Sequence, residues 1–178
     1  MKKLFLICVS LWMAGSVRTI PTYADEPPSW REFEVTSQNG RYSAKITGQL
    51  FKVSYKITVF EKGTPKKEIW SSDYEYDGYE GGILSDDGST FVYVSTWYSH
   101  DYPVVWIYRN GRKVGTLQGK DFIIDPSQLV QTVSHQLWLN EPLPYRWITM
   151  ESNSLALEIV TIDREKHRVD VDSARFFK

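Results

Sequence analysis

Cysteine is almost absent from this chain of 178 residues, and its scarcity excludes one common way of stabilising a small protein. The single cysteine is Cys8, close to the N-terminus. A disulfide framework within one chain needs at least two cysteines. No such framework can therefore form here, and the fold has to be held by a buried core.

The chain also lacks a large excess of charge of either sign. Its 21 lysine and arginine residues oppose 22 aspartate and glutamate residues, which gives a formal net charge of -1. Proteins that bind nucleic acid usually present a strongly basic face, so we expect no nucleic-acid partner. Lys62, Lys66 and Lys67 form only a small cluster near a turn, which is typical of solvation and of protection against edge pairing.

Long hydrophobic runs are missing apart from a short one at the start. Met1-Lys2-Lys3 precedes an uncharged, mostly apolar run from Leu4 to Gly15, and Thr22-Tyr23-Ala24 follows. A basic end, a short apolar run and a small residue at a cleavage point predict a signal peptide over residues 1–24. An uncleaved anchor or a buried N-terminal helix is the alternative. We expect a secreted or periplasmic protein that has no membrane span after cleavage.

Cleavage after Ala24 would change the composition of the chain. It would remove Cys8 and three cations, leaving 18 basic and 22 acidic residues with a net charge of -4. Thiol nucleophiles and zinc sites built from thiolates would then be excluded as well. Residues 25–29, which include Pro27-Pro28, predict a short extended lead-in. Residues 30–178 have the length of a single domain.

Apolar and polar residues alternate along most of the remaining chain, as over 33–36, 42–47 and 51–59. Such alternation predicts antiparallel strands with one face on a core. The one helical signal, Asp125 as a cap before Pro126, predicts at most a short helix near 125–131. We predict an all-β fold of about ten strands, forming a two-sheet sandwich or two to three blade-like sheets. A barrel-like closure is the alternative.

Two turns share a Ser-x-x-Gly pattern and are each followed by a strand. Ser37-Gln38-Asn39-Gly40 and Ser85-Asp86-Asp87-Gly88 lie 48 residues apart, and Ser152-Asn153-Ser154 is a weaker echo. With the later strand and its Asn110-Gly111 hairpin turn, the second unit resembles one blade of the Ser-x-Asp-Gly propeller repeats. The stretch from Phe33 to Asp172 resembles a loose group of small, uncharacterised exported bacterial proteins. The resemblance implies blade-like sheets and transfers no catalytic residues.

Aromatic residues make up 15% of the chain, and two loops carry many of them beside acidic residues. Flat aromatic faces rimmed by carboxylates can bind carbohydrates, cationic peptides or proteins. Core filling is the competing explanation for any one ring. We predict a binding surface on the two loops, made of Tyr76, Tyr79, Trp97, Tyr98, His100, Asp101 and Tyr102.

The sequence patterns that would indicate catalysis or metal binding are weaker than the aromatic pattern of the two loops. Ser99-His100-Asp101 has the residue types of a hydrolase triad, but neighbours on an extended chain point to opposite sides. The loop from Asp73 to Glu80 begins like a calcium loop, yet Leu84 stands where a glutamate is needed. We therefore assign no catalytic residue, no metal ligand and no cofactor, while calcium at this loop stays open.

Together these features favour a non-enzymatic, exported binding module whose partner is an unknown protein, peptide or carbohydrate. One alternative is a secreted hydrolase that uses carboxylates such as Asp73 or Asp101. Two facing carboxylates across a cleft would favour that interpretation. The other alternative is a structural, envelope-associated protein, whose loop aromatic residues would be buried.

Overall fold

The computed structural model describes residues 27–49, 52–123, 125–142 and 144–177. The predicted signal peptide, residues 1–24, and the first part of the lead-in lie outside the described residues. The rest of the lead-in has no regular structure, but the backbone N–H of Ser29 donates to the carbonyl of Gly78 at 2.9 Å. This bond attaches the start of the domain to a loop 49 residues further on.

The regular structure of the described residues is almost entirely β-strand, which confirms the all-β prediction. Ten strands have four or more residues, and four more have only two, too short for alternation to reveal. Two 3₁₀ turns, Gly119–Asp121 and Pro126–Gln128, are the helical elements, and the second lies where a short helix was predicted. Within the described ranges, no helix has the length and apolar character needed to cross a membrane. The strands are β1 (Phe33–Thr36), β2 (Tyr42–Gln49), β3 (Lys52–Glu61), β4 (Lys67–Tyr74), β5 (Ile83–Leu84), β6 (Thr90–Val94), β7 (Pro103–Arg109), β8 (Arg112–Gln118), β9 (Val130–Gln131), β10 (Gln136–Leu137), β11 (Tyr145–Thr149), β12 (Leu155–Val160), β13 (Lys166–Asp170) and β14 (Arg175–Phe176).

Three four-stranded sheets follow one another along the chain. The first contains β1–β4, the second β5–β8 and the third β11–β14, while β9 and β10 pair as a small hairpin between the last two. All pairs are antiparallel, and strands adjacent in sequence are adjacent in each sheet, as is usual for strands joined directly by turns or loops. Of the sheets that the structure describes, none closes into a barrel. The fold is therefore consistent with the predicted sandwich or blade-like sheets, and not with the barrel alternative.

The second sheet is buried on both faces. Along β6, Phe91 and Tyr93 pack into a first core shared with the first sheet. Val92 and Val94 pack into a second core shared with the third sheet. Because successive side chains of a strand point to opposite faces, one strand contributes to both cores. The sheets thus stack as three layers with the second sheet in the middle.

The two outer layers present polar faces to solvent. On the first sheet, Lys45 alternates with buried Ala44 and Ile46 and pairs with Glu32 at 3.6 Å. On the third sheet, Arg146 pairs with Glu158 across neighbouring strands. Charged residues on an outer face are typical of the layers that end a stack of sheets.

Tight turns form where the sequence predicted them. Asn110 and Gly111 join β7 to β8 with φ angles of 48° and 78°, as a two-residue hairpin turn requires. Gly40 and Gly88 also have positive φ angles, 74° and 72°, and each joins the first two strands of its sheet. Asn153, in the weaker echo, lies at the same place in the third sheet with φ 60°.

Candidate functional site

The two loops predicted to form the binding surface meet at one end of the second sheet. The first, residues 75–82, leads into β5, and the second, residues 95–102, leaves β6. Because β5 and β6 are antiparallel, the start of one strand lies beside the end of the other. The rings of Tyr79 and Trp97 consequently lie 5.7 Å apart in an edge-to-face arrangement.

The carboxylate of Asp77 joins the two loops. It accepts hydrogen bonds from the hydroxyl of Ser95 at 2.8 Å and from the backbone N–H of Tyr79 at 3.2 Å. It also accepts a short hydrogen bond from the hydroxyl of Tyr93. Burial raises the pKa of Tyr93, and the charge of Asp77 raises this pKa further, so the phenol keeps its proton and remains a donor. Asp77 therefore holds the two loops of the candidate site together.

Three aromatic rings from separate segments converge beside this carboxylate, and we call Tyr79, Trp97 and His135 the ring cluster. Trp97 stacks on His135 with 4.6 Å between ring centroids and an angle of 21° between planes. Tyr79 contacts His135 edge-on at 6.4 Å. His135 lies in the loop between β9 and β10, and a β-bridge between Trp97 and Leu137 fixes this hairpin against the second loop. All three rings are partly buried.

His135 was not among the residues predicted from sequence. It lies 38 residues after Trp97, in a polar turn with no recognisable motif. The only signal available was a lone histidine, which is too common to indicate a site. Its position depends on how the small hairpin packs against a loop of another sheet.

The structure gives the remaining predicted residues of the second loop no ring contact with the ring cluster. Tyr102 is 73% exposed, and Val133 on the neighbouring hairpin is 76% exposed. The hydroxyl of Tyr98 lies 3.0 Å from Nδ1 of His100. Burial raises the pKa of Tyr98, and the nearby charge of Asp101 adds to this rise in pKa.

Asp101 has a partner of its own just after the end of β8, beside the second loop. Its carboxylate pairs with Lys120 at 3.3 Å, and both side chains are largely exposed. Its backbone carbonyl accepts a hydrogen bond from the side chain of Gln118 at 3.0 Å. These contacts hold the second loop in place. The ion pair itself contributes little stability, because it is exposed to solvent.

Tyr76 lies apart from the ring cluster. Its ring packs edge-on against Tyr55 at 4.9 Å and Trp30 at 5.8 Å, at the boundary of the first core. Burial raises the pKa of its hydroxyl. Tyr76 therefore contributes to packing, whereas Tyr79, three residues further along, contributes to the ring cluster.

The acidic residues of the first loop are occupied by protein donors. Glu75 accepts hydrogen bonds from Nε1 of Trp106 at 2.8 Å and from the ammonium of Lys113. The bond from Lys113 lowers the pKa of Glu75. Asp73, which was predicted to begin this loop, lies instead in the edge strand β4, opposite Lys56. Among the described residues, no group of three or more histidine, cysteine or acidic side chains is arranged to hold a metal ion.

The arrangement can bind an apolar face by contact with preformed rings. Aromatic side chains that are already held in place lose little conformational entropy when a ligand packs against them. Such residues therefore dominate many binding surfaces. Comparison of the chain with protein family models, with curated proteins and with solved structures finds no match.

Proposed function

We propose that the protein is an exported, non-enzymatic binding module that holds its ligand at the ring cluster. The observation that carries this proposal is the convergence of Tyr79, Trp97 and His135 from three segments at one end of the second sheet. We include Tyr102 of the second loop and Val133 of the neighbouring hairpin in the proposed surface, since both are apolar and exposed. The N-terminal pattern over residues 1–24 supports the export part of the proposal.

The chemistry of the surface favours a ligand with a flat apolar face, as found in peptides, protein loops and carbohydrates. Hydrogen bonds to Asp77 and the bridge from Trp97 to Leu137 fix the loops before a ligand arrives. A surface ordered in advance loses less conformational entropy on binding, which favours affinity. Residues at the centre of such a surface are expected to contribute most of the binding energy.

The proposal is tested by screening the protein against immobilised oligosaccharides and a displayed peptide library, and then repeating the measurement with Trp97→Ala. We expect the variant to bind its best probe about ten-fold more weakly or worse, as for a central aromatic residue. Tyr102→Ala should weaken binding less, because an exposed edge residue excludes less water. Ile69→Ala is the matched control, since it removes an exposed apolar side chain from the first sheet.

A purely structural role is the second candidate, and the packing of Tyr76 in the first core favours it. If Trp97→Ala and Tyr102→Ala both fold and bind every probe as the unmodified protein does, the ring cluster is not a binding surface. The same conclusion holds if no probe binds the unmodified protein. The loop aromatic residues would then serve packing alone.

A further inference from the structure

The outer face of the third sheet carries a row of three charged residues across adjacent strands. Arg146 of β11, Glu158 of β12 and Arg168 of β13 are direct partners in the strand register. This face is turned away from the second core, which receives the alternate residues Leu157 and Ile159. Even so, the side chain of Glu158 is only 4% exposed. The two arginines cover it.

The arginines keep most of their hydrogen-bonding capacity. Arg146 donates to one carboxylate oxygen of Glu158 from Nε at 3.0 Å and from Nη2 at 2.6 Å. Nε of Arg168 lies 3.7 Å from the other oxygen. The two arginine side chains are 67% and 53% exposed. Since each guanidinium has five N–H donors and one carboxylate faces two of them, the row has unused donors and a net positive charge.

The row borders a groove of about 670 Å³ that also has an apolar wall, formed by Ile148, Met150 and Phe177. A smaller cavity of about 250 Å³ shares Met150, Arg168 and Phe177 with the groove, and Lys166 adds a third cation there. Three cations and an apolar wall therefore line one continuous surface, together with the carboxylates of Glu158 and Glu151 and the polar residues Thr149 and Ser152. It shares no residue with the ring cluster.

Stability alone gives little reason for a buried carboxylate at this position. Removing a carboxylate from water is costly, and an apolar residue of similar volume is often as stabilising as a buried ion pair. What Glu158 does provide is a fixed position for Arg146, whose guanidinium donates to it twice. An arginine held in place is suited to forming paired hydrogen bonds with a carboxylate or a phosphate.

We propose that this groove binds a small amphiphilic anion, with a carboxylate or phosphate head attached to an apolar tail. The head pairs with Arg146 and Arg168, and the tail lies along Ile148, Met150 and Phe177. Arg146, Arg168 and Lys166 outnumber the carboxylates of Glu158 and Glu151, so charge complementarity favours an anionic head. The apolar wall beside the arginines identifies the tail. This site is additional to the one proposed at the ring cluster, so either can fail without the other.

The test uses four probes that separate the head from the tail, measured by isothermal titration calorimetry. Decanoate and decyl phosphate carry both parts, decanol lacks the charge, and inorganic phosphate lacks the tail. We expect at least one of the two anionic amphiphiles to bind, with decanol and phosphate about ten-fold weaker or worse, as loss of a charge-assisted hydrogen bond or of buried apolar area predicts. Comparing the two amphiphiles shows which head the site prefers.

Two variants assign the binding to the groove. Arg168→Gln removes a head contact, and Phe177→Ala removes part of the tail contact. Each should weaken the better amphiphile about ten-fold, in keeping with one charge-assisted bond or one apolar side chain. Arg168 is preferred to Arg146 because its looser ion pair makes misfolding of the variant less of a concern. Arg41→Gln is the matched control, an exposed arginine paired with Glu61 on the first sheet.

The proposal is overturned if neither amphiphile binds, or if decanol or inorganic phosphate binds as tightly as the amphiphiles. It is also overturned if Arg168→Gln and Phe177→Ala, shown to be folded by circular dichroism, bind like the Arg41→Gln control. If Arg168→Gln does not fold, the Phe177→Ala variant and the four-probe comparison still decide the outcome.

Discussion

Single side chains connect the buried cores of this protein with its candidate site. The ring of Tyr93 packs in the first core, 5.7 Å from Tyr74 and 5.3 Å from Trp106. Its hydroxyl reaches Asp77, which in turn fixes both loops of the site. Tyr93 thus has two roles. Its ring packs in the first core, and its hydroxyl helps to order the loops of the candidate site.

His167 gives a prediction at the same scale. It lies half-buried in the third sheet, with Phe122 at 5.3 Å and Phe176 at 5.7 Å. Burial lowers the pKa of His167 from its ordinary value of 6.5, although Asp163 and Glu165 oppose part of this shift. Its folded-state pKa is therefore below its unfolded-state pKa, and the unfolded chain binds the proton more readily. The free energy of unfolding should decrease as the pH falls below 6.5.

His167→Gln should remove this contribution to the pH dependence. The measurement is urea unfolding at about pH 7.5 and about pH 5.5, where the difference between the two free energies should be smaller in the variant. His100→Gln, which changes an exposed histidine, is the control and should retain the full difference. An unchanged difference in His167→Gln would contradict the assignment.

At the scale of elements, the two Ser-x-x-Gly turns have the same hydrogen bonds. Ser37 donates from its hydroxyl to Asn39 at 2.9 Å, as Ser85 does to Asp87 at 2.6 Å. The turns also contact each other, because the backbone N–H of Asn39 donates to Asp86 at 2.7 Å. Burial alone would raise the pKa of Asp87, but the bonds from its neighbouring serines outweigh burial and lower this pKa. A short sequence pattern thus encodes a turn and a contact between layers.

Gly40 and Gly88 provide a matched pair for testing these turns. Both have positive φ angles, so an alanine at either position should cost about 1–2 kcal/mol in free energy of unfolding. A Cβ at Gly88 would lie 2.5 Å from the ring of Tyr42, whereas a Cβ at Gly40 would meet no atom within 4 Å. Gly88→Ala should therefore lose about 1–3 kcal/mol more than Gly40→Ala, as an overpacked site does. Equal losses in urea unfolding would show that Tyr42 moves aside freely.

At the scale of the whole molecule, the second sheet makes the three layers depend on one another. All residues of β6 are buried, and its four apolar residues, Phe91 to Val94, alternate between the two cores. Removing either outer sheet would expose one apolar face of the second sheet to water. We therefore expect the three layers to unfold together as one cooperative unit.

Substitutions in the two cores test this cooperativity. Ile57 belongs to the first core and Leu157 to the second, and both are fully buried. Ile57→Ala and Leu157→Ala should each lower the free energy of unfolding by about 2–5 kcal/mol, because each leaves a cavity. Each variant should still unfold in one transition, with circular dichroism and tryptophan fluorescence coinciding. Two separate transitions in either variant would mean that the layers unfold independently.

Local patterns in the sequence were sufficient to predict the strands and several turns. Alternation predicted the long strands, and Asn110-Gly111 predicted its hairpin, because both signals depend on neighbouring residues only. The two-residue strands were missed, since two residues show no alternation, and the five-residue strand β11 was missed as well. Of the predicted binding residues, Tyr79 and Trp97 come together in the structure, while Tyr76 packs toward the first core.

The sequence by itself determined the fold class and the turn chemistry, because strand alternation and turn residues act over a few bonds. It also placed most of the aromatic residues of the site on two loops. Only the tertiary structure decided that the second sheet is buried on both faces, that His135 joins Trp97, and that Glu158 holds two arginines. The reason is physical: these contacts join residues of different strands, loops and layers, and their distances are set by how the sheets stack and register.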